Sequence, residues 1–121
     1  MCITIFDALT DVSAMISINE FKRVEMRVGR VVHAEKLKGS DKLLRLRVRF
    51  GDVEKQVLTG LAEYYSPDHF TGRLFVFVTN LETRKIRGEV SEAMLLTAVE
   101  SEQKIVPIVP EGEVAEGTVI M

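Results

Sequence analysis

The sequence has one cysteine and two histidines in 121 residues. A lone cysteine cannot form an internal disulfide, and nothing else points to an oxidising compartment. Cys2, His33 and His69 stand far apart, so no metal-ligand spacing arises and no cofactor is expected. No apolar run approaches the roughly 18–20 residues of a membrane span. Residues 1–14 are mildly apolar but contain Asp7 and Asp11 and no basic start, which argues against a signal peptide. The expected compartment is therefore the cytoplasm. Phosphate-binding glycine loops and the nucleophile elbow of hydrolases are also missing. His33 falls in a predicted strand and His69 in a short helix, both positions that suit a structural or solvent-facing histidine. The chain is thus expected not to be an enzyme and to have no small-molecule substrate.

What is present suits one globular domain, with 46% hydrophobic and 28% charged residues. Its net charge of −2 conceals an asymmetry. Residues 15–88 hold 15 Lys/Arg against 9 Asp/Glu, whereas residues 89–121 hold one Lys against seven Glu. A basic body with an acidic end can hold a polyanion on one face. Residues 1–14 are expected to be an N-terminal extension of uncertain role. Residues 15–121 form the domain, with a barrel over about 22–99 and a C-terminal extension over about 100–121.

Ser17 or Asn19 caps a short helical turn in which Ile18 and Phe21 share a face, suited to closing a core or a dimer seam. From Val24 the pattern has period two through Met26 and Val28, predicting a long first strand. Gly29 near its middle marks a place for a bulge or bend. A second strand spans Leu43 to Phe50, a third Glu54 to Thr59. Ser66-Pro67 opens a short helix that ends near Phe70. A fourth strand, Arg73 to Thr79, is apolar on both faces, so it is buried on both or packs one face on a subunit. A fifth spans Ala93 to Val99. Three strands, a short helix and two strands is the order of an all-β OB-fold, a five-stranded Greek-key barrel with little helix.

Two turns stand out as basic: Lys36–Lys42, between strands one and two, and Asn80–Glu92, between strands four and five. Arg84, Lys85 and Arg87 fall within four positions of the second, and Gly88 frees the backbone to turn. Both loops flank the oligonucleotide face of an OB-fold. Arg84, Lys85 and Arg87 suit phosphate contacts. Along the second strand, Arg45, Arg47 and Arg49 share one face, roughly 6.5–7 Å apart. Either acids across the sheet neutralise them or they await an anionic partner; the RNA-binding reading takes the latter.

The tail is acidic and proline-punctuated. Ile105–Pro110 reads as an extended apolar run, an edge that needs covering by its own barrel or by a second copy. Thr118 to Met121 suits one more short strand.

Several stretches together resemble the tRNA-binding domain family. They are Asn80-Leu81, Arg84-Lys85-Ile86-Arg87-Gly88 and Ser91-Glu92-Ala93-Met94-Leu95, with FKRVEMRVGRV from Phe21, SDKLLRL from Ser40 and Thr59-Gly60-Leu61. The family includes the C-terminal domains of many bacterial methionyl-tRNA synthetases and of endothelial monocyte-activating polypeptide II. It also includes free-standing dimeric tRNA-binding proteins and secretion-chaperone-like proteins. The resemblance runs from about Ile18 to the C-terminus.

It implies an OB-fold whose C-terminal additions help form a homodimer, and tRNA binding by shape. By motif position it places Asn80, Arg84, Lys85, Arg87, Ser91 and Met94 on the functional face, with Lys42 nearby. Asn80 and Ser91 either read a base edge or 2′-hydroxyl or hold the loop through backbone hydrogen bonds. Met94 suits the barrel rim, and Glu92 is read as orienting an arginine. Glu82-Thr83 departs from a neutral or basic pair, which predicts modest affinity. For a free-standing chain, the resemblance further implies delivery of tRNA to methionyl-tRNA synthetase in trans, as an aminoacylation cofactor. The rival reading is a dimeric chaperone-like or peptide-binding protein using Phe75, Phe77 or Ile105–Val109 as an apolar groove.

Overall fold

A computed structural model describes residues 14–121. The expected extension at residues 1–14 falls outside the described residues, apart from Ala14. No described helix is long and apolar enough to cross a membrane.

The longest element is β1, Met26–Lys36. It is followed by β2 (Leu44–Arg49), β3 (Glu54–Thr59), a 3-10 turn (Pro67–His69) and β4 (Leu74–Val78). Next come the short hairpin β5 (Arg84–Ile86) and β6 (Glu89–Ser91), then β7 (Met94–Leu95). The chain ends with the hairpin β8 (Thr97–Ser101) and β9 (Lys104–Pro107), and with β10 (Val119–Ile120). The main sheet has the order β3-β2-β1-β4-β7, antiparallel throughout, with β10 also on β1. β1 serves both halves: residues 30–36 pair with β2, residues 26–30 with β4. That shared long strand curls the sheet into the expected OB-fold.

Alternation explains the core. Leu44, Leu46 and Val48 on β2 are completely buried, and each such side chain contributes about 1.5–3 kcal/mol. Phe75 and Phe77 on β4 meet them with Phe70 from the turn before. All five residues of β4 are buried, Val76 beneath the tail. Phe75 and Phe77 are thereby removed as an apolar groove.

Gly29 acts differently from the bend expected of it. The register shift in β1 lies at Val31–His33. At Gly29, an added Cβ would stand 2.5 Å from Val48 Cγ1 and 2.6 Å from the Phe50 ring. The residue is needed for close packing. Two further boundaries differ from expectation: the short helix is a single 3-10 turn, and the fifth strand divides at Leu96, whose N–H still donates to Val76.

The tail packs on its own barrel. Ile108 donates to Leu96 and accepts from Val76, both at 3.0 Å. Tyr64 and Tyr65 donate to the carbonyls of Glu102 and Ile105, fixing the β8–β9 hairpin. Residues 105–108 are thus engaged along their backbone, while the side chains of Val106, Ile108 and Val109 remain exposed. At the far end, Ser17 and Glu20 form a reciprocal cap on the helical turn α1, Ile18–Phe21. This turn closes no core. Ile18 and Phe21 remain exposed and, with Val24, Met26, Val119 and Ile120, line an apolar hollow of about 420 Å³.

Candidate nucleic-acid interface

The basic stretch between β4 and β7 is a hairpin, where the sequence reading had a loop. Arg87 (φ 51°) and Gly88 (φ 82°) occupy its two-residue turn. Two successive positive φ values match the twist of a tight hairpin, and Gly88 makes the second inexpensive. Arg84 pairs with Ser91 and Lys85 with Val90.

The acceptors and donors on the barrel side fix this hairpin. Ser91 is buried; its Oγ accepts from Leu58 N–H and donates to Ala93 O, both at 3.0 Å. Glu89 accepts from Arg45 Nη1 at 3.0 Å and from Gln56 Nε2 at 3.1 Å. Glu92 N–H donates to Gln56 O, while its carboxylate accepts from Gln56 N–H, both at 2.8 Å. Glu92 therefore closes the barrel against β3, a correction to its reading as an arginine orienter. Ser91 and Asn80 likewise serve the backbone. Asn80 donates to Arg23 O at 2.6 Å and accepts from Glu25 N–H at 2.9 Å. Ser91 is too buried to reach a ligand.

The outer side of the hairpin is different. Arg84, Lys85 and Arg87 are exposed, as are Lys36, Lys38 and Lys42 in the β1–β2 turn. Arg87 Nη1 donates to Gly39 O at 3.3 Å, joining the hairpin tip to that turn. None of these six cations has a carboxylate within 4.0 Å among the described residues. The two basic turns form one cationic rim. Met94, 42% exposed, lines a small hollow beside Arg84, in keeping with a place at the rim.

Below the rim, the expected row of unpaired arginines is not found. Arg45 is ion-paired to Glu35 and to Glu89. Arg47 approaches Glu54 at 3.5 Å, and Arg49 holds Glu116 at 2.7 Å. Neutralisation wins because acids are brought alongside: Glu35 lies opposite Arg45 on β1, Glu54 on β3 reaches diagonally to Arg47, and Glu116 arrives at Arg49 from the tail. Hydrogen bonds from Arg45 and His33 lower the Glu35 pKa, and those from Arg49 and Arg30 pull Glu116 down to about 2. Glu54 was findable by counting back through the Gly51-Asp52 turn. Glu89 and Glu116 come from distant sequence and carried no local signal.

The histidines take no part in the rim. His33 contacts Glu35 at 2.9 Å. His69 stacks on Tyr65 with ring centroids 4.4 Å apart, and burial with neighbouring Arg73 lowers its pKa.

Comparison with known proteins places this geometry. The family model described as "Putative tRNA binding domain" matches residues 26–119. The chain belongs to the tRNA-binding domain family. It is 45% identical over 103 residues to a methionine–tRNA ligase of Pelodictyon phaeoclathratiforme, covering 85% of this chain and 15% of that protein. For a methionine–tRNA ligase of Archaeoglobus fulgidus the identity is 43% over 103 residues, covering 85% and 16%. The chain thus spans about a sixth of the length of these relatives. Among solved structures, a MetRS related protein from Pyrococcus horikoshii superposes with TM-score 0.84 at 36% identity, covering 88% of this chain and 98% of that one. The chaperone CsaA from Bacillus anthracis gives TM-score 0.80 at 29% identity, covering 88% and 99%.

Proposed function

We propose that this tRNA-binding domain holds structured tRNA against the rim formed by Lys36, Lys38, Lys42, Arg84, Lys85 and Arg87. The observation that carries the reading is that these six cations are exposed and, among the described residues, free of acidic partners, in a chain of the tRNA-binding domain family. Unpaired cations on two joined turns follow a phosphate backbone; side chains fixed by the fold supply the register. The role is binding rather than catalysis. In the cytoplasm it serves methionyl-tRNA synthetase in trans as an aminoacylation cofactor, a reading supported by the likeness to methionine–tRNA ligases and to a free-standing MetRS related protein.

The protein acts as a homodimer through the apolar face of Ile18, Phe21, Val24, Val119 and Ile120. Both ends of the domain meet there, and a two-fold axis lets this face cover itself. Ile120→Asp is expected to convert the dimer to a monomer in sedimentation; an unchanged mass excludes this face.

The function is tested by tRNA binding at two salt concentrations, native chain against Arg84→Ala/Lys85→Ala/Arg87→Ala. Loss of affinity with a flatter salt dependence supports the rim. Binding untouched by the triple change rejects it. A chaperone-like reading rests on the CsaA likeness and the same apolar face. It predicts peptide binding that survives high salt, whereas phosphate binding weakens steeply.

A further inference from the structure

Arg30 and Arg49 face each other in the β1–β2 register, below Arg45 and Arg47 on the outer sheet face. One acidic strap, residues 111–117, occupies both. Glu116 accepts from Arg49 Nε at 2.7 Å and Nη2 at 2.9 Å, and from Arg30 Nε at 2.9 Å. Glu113 accepts from Arg30 Nη2 at 2.5 Å, and the last Arg30 nitrogen donates to Gly72 O at 2.8 Å. A carboxylate gripped by a guanidinium fork is the arrangement that phosphate also adopts.

The strap is held mainly by these charges. Among the described residues, no backbone hydrogen bond joins residues 111–116 to the barrel; the backbone ladder resumes at Gly117, whose N–H donates to Val28 O at 2.7 Å. Glu113 is three-quarters exposed, at 75%. The Glu113 contact is open to competition, because exposed ion pairs are weak. Glu116, 18% exposed and gripped by both arginines, is the firmer half of the mask.

We propose that the strap is an internal stand-in for nucleic-acid phosphate, which keeps Arg30 and Arg49 out of reach and ends the footprint of bound RNA near Arg47. With the strap neutralised, Arg30 and Arg49 would become free cations beyond the weakly paired Arg47, while Arg45 stays matched by Glu35 and Glu89. The proposal rests on the rim reading above.

The test measures tRNA affinity and its salt dependence for the native chain, Glu113→Gln/Glu116→Gln, and that variant with Arg30→Ala added. The double glutamine variant is expected to bind tighter, by up to about tenfold per added phosphate contact at 0.1 M salt, with a slope steeper by about one to two. Adding Arg30→Ala removes about half of that gain. In the native background Arg30→Ala leaves binding unchanged. A control, Glu100→Gln/Glu102→Gln, makes the same charge change on the β8–β9 hairpin and is expected to gain little, being screened from the face. An equal gain in the control overturns the proposal, as does a folded double variant with unaltered affinity and slope. If the double variant fails to fold, Glu113→Gln alone gives a smaller gain in the same direction, and no gain there overturns it equally. Binding that ignores the rim triple change defeats the rim reading; rim-dependent binding with no gain on strap neutralisation defeats only this proposal.

Discussion

The rim and the sheet face below it are built from the same residue types and behave oppositely. At the rim, six exposed lysines and arginines have no carboxylate partner among the described residues. On the face, Arg30, Arg45, Arg47 and Arg49 are each matched by glutamates. The difference comes from neighbours. Neighbouring strands bring Glu35 to Arg45 and Glu54 to Arg47, and the strap at residues 111–117 brings Glu113 and Glu116 to Arg30 and Arg49. A two-residue hairpin tip has no further strand beyond it. Arginine on the sheet therefore builds the protein, and arginine at the rim stays available.

The comparison breaks first at the rim. Arg84→Ala/Lys85→Ala/Arg87→Ala is expected to weaken tRNA binding by about a hundredfold or more near 0.1 M salt. The salt slope should fall by about two to three, since each lost phosphate contact removes about 0.7–0.9. Thermal stability should barely move, because these side chains hold no charged partner among the described residues. A large fall in melting temperature would mean that the rim, too, is structural.

Ser91→Ala makes the reverse change at the base of the same hairpin. It strips the buried Leu58 N–H of its acceptor, which costs about 1–3 kcal/mol. The melting temperature falls, while the salt slope of tRNA binding by the folded protein stays native. A native melting temperature would show that the hydroxyl is dispensable to the hairpin's anchorage.

These contrasts also explain what the sequence made legible. Strand order, the buried alternation of Leu44, Leu46 and Val48, and the basic character of both turns all follow from local pattern. The hairpin was hidden because its strands are three residues each, too short to display alternation, and Arg87 carries a positive φ that no propensity favours. Arg45 is shared between Glu35, 10 residues away, and Glu89, 44 away, and Arg49 is held by Glu116, 67 away. Charge clusters read in one dimension cannot tell a free cation from one matched across a sheet. Ser91 and Asn80 illustrate the same point: short polar residues in a binding-motif stretch, spent on backbone groups.

Acid should separate the regions again. Glu116 has its pKa lowered from 4.5 to about 2 by Arg49 and Arg30. A depressed carboxylate stabilises the fold above its unfolded pKa and loses that contribution as pH falls. Native protein should therefore lose its advantage over Glu116→Gln between about pH 4.5 and pH 2, read by paired thermal melts. A gap that persists unchanged at pH 2 would show that Glu116 acts through packing rather than charge.

The smallest expected effect lies at Arg47, where the regions meet. Its pair with Glu54 is the longest of the arginine row at 3.5 Å, and both side chains are substantially exposed, 55% and 43%. Exposed pairs of this kind contribute about 0–1 kcal/mol, so Arg47→Ala should shift stability by no more than about 0.5 kcal/mol. Being weakly held, Arg47 is also the face arginine most able to turn toward a phosphate. Its loss should weaken tRNA binding about two- to fivefold and lower the salt slope by less than one, below any single rim residue. An effect as large as that of Arg84→Ala would move the boundary of the binding surface down the sheet. No effect at all would set that boundary at the hairpin itself.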